Sequence, residues 1–243
     1  FAPFTFFYII TSFPFPDGKA TANRVKVFAK ELIKHGYNDQ VDILATSPND
    51  SYVTMFEKNI KIVNLYVPAK DKSRLFARAL NEVLVSFRLW FKYKELKSNA
   101  VMLTIPSIFL LIPIMLFPKP PVLLIDVRDA VWTYFEKGIF KKFFGLIVKV
   151  FFRIAARKAD LVSVTNSYEA ESVKDISGVD AVIVSNGISE EKFREFRSIK
   201  IKLPKRKIKL AYIGNIGIAQ ELDILIDFSK FFQKSVEVNL VGD

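Results

Sequence analysis

The stretch YIGNIGIAQELDILIDFSKFF, Tyr212 to Phe232, decides how this chain is put together. Tyr212 and Ile213 close a short apolar strand that begins at Ile208, Gly214 and Gly217 punctuate a turn, and Glu221 to Phe232 reads as an amphipathic helix. A second strand, Val236 to Val241, follows. Together they make one βαβ unit, the opening of a nucleotide-binding domain, whereas a doubly wound domain needs several more strands. The expectation is a larger domain upstream and the beginning of a second one here.

Upstream the alternation recurs. Phe4 to Thr11 is a near-continuous apolar run, and the helix after it carries Val25, Phe28, Ala29, Leu32 and Ile33 at helical spacing and ends at Gly36. Val41 to Thr46 and Ile60 to Val67 read as strands, with connections too long for hairpins. Helices at 73–97, 106–117, 139–158 and 167–176 then alternate with strands at 100–104, 122–126, 161–165 and 181–185. Strands apolar on both faces and separated by helices predict an α/β fold: a Rossmann-like parallel sheet covered by helices on both faces, with the first βαβ unit of a second Rossmann-like domain. The basic stretch around Pro204 marks the change, between Phe196 and Lys207, giving a first domain over 1–200 and the start of a second over 201–243. In such a sheet the active residues belong at the carboxyl ends of the strands.

Composition narrows the class. Hydrophobic residues make up 51% of the 243, so a large core can form and a disordered or fibrous chain is excluded. The absence of Cys excludes disulfides, thiolate metal sites and a Cys nucleophile. Val101 to Phe117 is nearly apolar enough for a membrane span, but Pro106 and Pro113 interrupt it and it is 17 residues long, under the roughly 20 required, so it reads as a buried strand and helix. Phe4 to Ile10 lacks the basic flank and cleavage site of a secretory signal. The net charge of +11 is concentrated in Lys137, Lys141, Lys142, Lys149, Arg153, Arg157 and Lys158, with no acid between them, and in a second run from Lys192 to Lys209. Such faces call for an anionic partner or for plain solvation.

Four stretches occur in a fixed order: SFPFPDGKATANRVKVFAKELIKHGY near the start, LLIDVRDAVW at 123–132, ADLVSVTNSYEAE through VIVSNGISEEKF at 159–193, and YIGNIGIAQELDILI. Their order and spacing resemble the retaining GT-B fold glycosyltransferases of the family 4, group 1 type, nearest to the branch that adds amino or deoxy sugars to surface polysaccharide intermediates. The resemblance spans nearly the whole chain. It implies two Rossmann-like domains facing each other across a cleft, the first holding acceptor and the second a nucleotide sugar. This chain matches the first domain and one βαβ unit of the second, so the family's Glu-x7-Glu donor motif is expected beyond Asp243 and these residues alone are expected to be inactive.

The resemblance also suggests roles. In DVRD, Asp129 is expected to accept a hydrogen bond from the acceptor hydroxyl, with Arg128 as its orienting partner or a phosphate contact, the alternative being a purely structural ion pair. Gly18 and Lys19 form either an ordinary turn or an acceptor or phosphate contact. Asn186 and Gly187 resemble the family's pair near the interdomain cleft, although Asn-Gly is also a common turn pair. Gly214, Asn215, Gly217 and Gln220 fall where the donor diphosphate binds, although many relatives have Arg and Lys at the positions of Asn215 and Gln220, and Gly at that of Glu221. The only His, His35, sits beside Gly36 and reads as a helix-end residue rather than a catalyst. In the mechanism usually proposed for the family the leaving diphosphate takes the acceptor proton, so neither a metal nor a cofactor is expected and the protein supplies position and electrostatics.

The expected partners are a nucleotide sugar donor, a lipid-linked or glycan acceptor and an anionic membrane surface. The helices at 73–97 and 139–158 combine apolar stripes with Lys and Arg, which suits a cytoplasmic protein peripherally associated with the membrane. A GT-B sugar-nucleotide epimerase and a non-enzymatic basic surface binder are the alternatives. Nucleic acid is disfavoured because the aromatics lie in apolar runs rather than among the basic residues. A dinucleotide-dependent dehydrogenase fails because SFPFPDGK has no G-x-G-x-x-G.

Overall fold

The computed structural model describes residues 7–16, 20–37, 39–68, 75–96, 98–105, 107–135, 139–188, 190–199, 207–214, 216 and 220–242. The chain separates into two compact units, Phe1–Asn186 and Gly187–Asp243.

The first unit is built on β1 (Phe7–Pro14), β2 (Val41–Ser47), β3 (Tyr52–Glu57), β4 (Ile60–Tyr66), β5 (Ala100–Ile105), β6 (Val122–Val127), β7 (Leu161–Val164) and β8 (Val182–Ile183). They form one sheet in the order β3-β4-β2-β1-β5-β6-β7-β8, and every neighbouring pair is parallel except β3 with β4. The strand order reverses between β1 and β5, which places a crevice outside their carboxyl ends. The α/β class predicted from the alternation of elements is the one observed.

One expectation fails. The connection before β4 is a hairpin: β3 returns antiparallel to β4 through Lys58 and Asn59, with Asn59 at a left-handed φ of 70°. Asn tolerates that conformation, and its carbonyl also accepts from Val41 N at 3.0 Å. Because Val53 and Met55 on this edge strand face solvent, its sequence carries no buried apolar run to announce it.

Helices cover both faces. On one side lies α1 (Ala20–Lys34), which buries Ala22, Val25 and Ala29 against Ile9, Ile43 and Ile62, small residues on the helix letting it approach the sheet closely. Its end is a left-handed glycine cap: Gly36 has φ 69°, with Gly36 N donating to Ile33 O and Tyr37 N to Leu32 O. His35 belongs to this helix end, its Nε2 3.2 Å from the Glu31 carboxylate.

The other side carries α2 (Leu75–Glu95), α3 (Leu111–Leu116), α4 (Ile139–Lys158) and α5 (Ser167–Ser177). Leu89 and Trp90 of α2, Ile114 of α3, Phe152 of α4 and Val173 of α5 join Tyr8, Leu103 and Ile125 in a single core. The apolar stretch 101–117 is thus β5 followed by the turn of helix that leads into α3, and among the described residues no helix is long and apolar enough to cross a membrane. Several basic residues of α4 are consumed inside this layer. Arg153 Nε donates to Ile176 O at 2.6 Å and Arg157 Nε to Ser177 O at 2.9 Å, capping α5, while Lys158 Nζ donates to Ile114 O and Met115 O of α3. Cations are favoured at such carboxyl ends by the helix dipole and the unpaired carbonyls.

In the second unit, α6 (Glu190–Ser198) is followed by β9 (Ile208–Ile213), α7 (Asp223–Phe231) and β10 (Val236–Val241), and β9 pairs with β10 in parallel from Ile208↔Val236 to Ile213↔Val241. The βαβ unit read from Tyr212 to Phe232 is therefore present. Its strand ends approach closely: Gly214 N donates to Val241 O at 3.0 Å, and a Cβ placed on Gly242 would lie 1.7 Å from Gly214 O. Gly242→Ala should force these ends apart and destabilise this unit by about 1–3 kcal/mol. Faster amide exchange across β9 and β10, with β1 and β5 unchanged, is the measurement that checks it.

Candidate active site

β6 is an apolar strand, VLLIDV, that places a carboxylate near its carboxyl end. Register sets Asp126 between Thr104 of β5 and Ser163 of β7, and its side chain is fully buried. A buried carboxylate is tolerable only when paired. The partner is Arg24, from the first turns of α1, whose side chain is 6% exposed against 0% for Asp126. Arg24 Nε donates to Asp126 Oδ2 at 2.9 Å and Nη2 to Oδ1 at 2.7 Å, a two-pronged pairing, and Ser163 Oγ donates to Oδ1 at 2.7 Å. The remaining prong, Nη1, donates to Val184 O at 2.7 Å and to Asn186 Oδ1 at 3.3 Å. One guanidinium therefore ties α1, β6 and the segment after β8 together at the carboxyl edge of the sheet.

Arg128 and Asp129 follow immediately. Arg128 N donates to Ile105 O at 3.1 Å, continuing the β5–β6 ladder, while its Nε is buried and has no hydrogen-bond partner. Burial pulls the guanidinium below its ordinary pKa, opposed by the carboxylates of Asp129, Asp126 and Glu169 and reinforced by Arg24. It stays charged, because an arginine has too high a pKa to lose its proton here. Asp129 is exposed, and its carbonyl accepts from Val131 N at 2.8 Å at the start of a short 3-10 turn. Two more buried hydroxyls without a partner, Ser12 Oγ and Thr104 Oγ1, lie near the carboxyl ends of β1 and β5. The carboxyl edge beside the switch point thus has a cation with unused hydrogen-bonding capacity next to an accessible carboxylate.

Glu169 completes the charged rim. Asn166 caps α5 through its Oδ1, which accepts from Glu169 N at 2.9 Å, and Glu169 Oε2 accepts from Thr165 N at 2.9 Å and Thr165 Oγ1 at 2.7 Å. This reciprocal cap orders the loop after β7 and holds a buried anion at a helix N-terminus, where the dipole favours it. Among the described residues no group of three His, Cys, Asp or Glu is placed to hold a metal ion.

Of the residues singled out in the sequence, Arg128, Asp129 and Asn186 lie at this edge of the first unit. Asn186 is also spoken for structurally, through Arg24. Gly187 opens the second unit, where Gly214 follows β9 and Gln220 is exposed before α7. Glu221 holds a left-handed φ of 47°, a conformation that Gly adopts without strain, at the position where the resembling family has Gly. Gly18, Lys19, Asn215 and Gly217 lie outside the described residues. Sequence reasoning missed Arg24. Its signal was available: an Arg flanked by Ala22 and Val25 on the buried face of an amphipathic helix needs a buried partner.

This fold recurs in known glycosyltransferases. Sucrose-phosphate synthase from Thermosynechococcus elongatus superposes with a TM-score of 0.65 at 15% identity, over 98% of this chain and 62% of that one. The catalytic domain of starch synthase IV from Arabidopsis thaliana, bound to ADP and acarbose, superposes with a TM-score of 0.59 at 9% identity, over 99% of this chain and 69% of that one. No protein-family model matches the chain, and no curated protein matches it in sequence. The fold is accordingly that of the GT-B glycosyltransferases. The chain spans less than two thirds of the length of the sucrose-phosphate synthase.

Arg24→Met should cost about 3–5 kcal/mol in a urea unfolding series, as should Asp126→Leu, because each leaves its partner buried and uncompensated. The double variant should recover most of that loss, since replacing both members with apolar groups removes the uncompensated charge.

Proposed function

We propose that this chain is the acceptor-side part of a glycosyltransferase that moves a sugar from a nucleotide sugar to an acceptor with retention of configuration. The observation that carries the reading is the DVRD segment at the carboxyl end of β6, one strand from the switch point of the sheet: an accessible Asp129 beside an Arg128 whose buried Nε is unpaired. In this reading the Asp129 carboxylate accepts a hydrogen bond from the attacking hydroxyl and orients its lone pair toward the anomeric carbon. Arg128 donates to an anionic group of the bound substrates, a phosphate being the group its fork fits best. Gly214, Asn215, Gly217 and Gln220 contribute to the donor diphosphate site, and Gly18 and Lys19 to the acceptor. The catalytic contribution is positioning and charge stabilisation.

The acceptor is a lipid-linked intermediate in surface polysaccharide or glycoconjugate synthesis, the transferred sugar is a hexose or amino sugar, and the enzyme works at the cytoplasmic face of the membrane. Support comes from the sequence resemblance and from the apolar and basic helices α2 and α4 on the side of the sheet opposite α1.

In the whole protein Asp129→Ala should lower sugar transfer by about 10²-fold, a loss of the size seen when a preorganised hydrogen-bonding group is removed. Its unfolding midpoint should fall only slightly, because the carboxylate is exposed and offsets only part of the burial of Arg128. Normal turnover by a destabilised Asp129→Ala protein would make Asp129 a structural residue instead.

A further inference from the structure

A helix that covers a sheet in water normally turns its polar residues outward. Two helices here are apolar on the outward side as well as on the core side. In α4 the core side is Phe152, Ala155 and Ala156, yet Phe143, Leu146, Val150 and Ile154, at spacings of three, four and four, are exposed on the opposite side. Phe143 is 62% exposed. In α2 the core side is Val85, Leu89, Trp90 and Tyr93, and the far side carries Leu80, Leu84 and Phe91, with Leu80 62% exposed. Between them Leu116, at the end of α3, is 65% exposed.

These residues belong to one surface. α3 packs against both α2 and α4. Phe117 joins α3 to α2 through ring contacts with Phe87 at 6.4 Å, Phe91 at 5.7 Å and Trp90 at 6.4 Å, and the Lys158 ammonium joins α4 to α3 through the carbonyls of Ile114 and Met115. The three helices are thus fixed side by side, with apolar side chains outermost on each.

We propose that the outward side of the α2–α3–α4 layer inserts into the acidic leaflet of a phospholipid bilayer. Charge selects this occupant. α4 contains no acidic residue from 139 to 158, Arg88 on α2 is exposed, and Glu95 is matched by Lys92 Nζ at 2.8 Å. A second copy of the chain would bring these basic helices against each other, whereas acidic head groups neutralise them. Arg153, Arg157 and Lys158 already serve as helix caps, so insertion of the apolar side chains contributes more than the positive charge of α4 would suggest. The proposal deepens the membrane-linked acceptor reading, and its test uses no sugar nucleotide, so failure of one does not imply failure of the other.

Both native tryptophans, Trp90 and Trp132, are buried, so their emission stays constant while an introduced tryptophan reports its own surroundings. Leu116→Trp and Leu146→Trp place the reporter on the layer; Val27→Trp, on exposed α1 across the sheet, is the control. With vesicles of phosphatidylcholine and phosphatidylglycerol carrying brominated acyl chains, the first two should shift to the blue and be quenched, and Val27→Trp should do neither. Leu84→Asp and Leu146→Asp should each weaken vesicle binding about tenfold or more, because a leucine's apolar surface stays in water and a charge must enter the interface. Three results overturn the proposal: no binding to these vesicles, binding in which no reporter is quenched, or sedimentation of the chain as a dimer that Leu146→Asp dissociates. Equal binding to vesicles of phosphatidylcholine alone would remove the selection by acidic lipid and overturn it as well.

Discussion

The pairing of Arg24 with Asp126 is the constraint on which the carboxyl edge of the sheet depends. Asp126 sits in register between Thr104 and Ser163 with no access to water, and the cation that pairs with it directly is not its sequence neighbour Arg128. Its counter-charge comes from 102 residues upstream, across the sheet edge, on the helix that follows the first strand. Because the same guanidinium also binds Val184 O and Asn186 Oδ1, three segments distant in sequence meet at one planar cation with fixed geometry. A lysine has no such fork and would satisfy at most part of this set. Buried ion pairs are poor sources of net stability, so this one is better understood as specifying which segments converge where.

That convergence shapes what lies beside it. With Asp126 neutralised by Arg24, Arg128 is left without a dedicated partner for its buried Nε, while Asp129 turns to solvent. A sequence of alternating charges, DVRD, is thereby divided: its first carboxylate holds the scaffold and its second is exposed. Glu169, fixed by the loop it caps, adds to the field around Arg128 without leaving the helix end that stabilises it. The two guanidiniums and three carboxylates at this edge nearly balance in charge.

The two faces of the first unit are built differently. On one side α1 uses Ala22, Val25 and Ala29 to lie close against β1 and β2 and leaves a mostly polar exterior. On the other, large residues of α2, α3, α4 and α5 fill a deeper core, and apolar residues remain outside as well. The basic run of α4 contributes to that layer from within: three of its cations cap α3 and α5, converting a feature that reads as surface charge into part of the helix packing.

The sequence by itself determined the class of fold, because strands buried on both faces must be apolar at every position and helices between them must show a 3.6-residue period, and both patterns are local. It located the βαβ unit at 208–241, the DVRD segment and the helix end at Gly36 for the same reason. It did not reveal β3, whose solvent-facing Val53 and Met55 on an edge strand give no core signal. Nor did it show that Asp126 is held in a buried ion pair, since the partner is supplied by α1. The basic residues of α4 were equally ambiguous: whether a lysine meets solvent, a lipid or a helix end depends on what packs beside it. Only tertiary structure decides such roles, because burial and pairing are set by the sheet's strand order, which brings residues 24, 126, 163 and 186 to one place although nothing in their local sequence requires it.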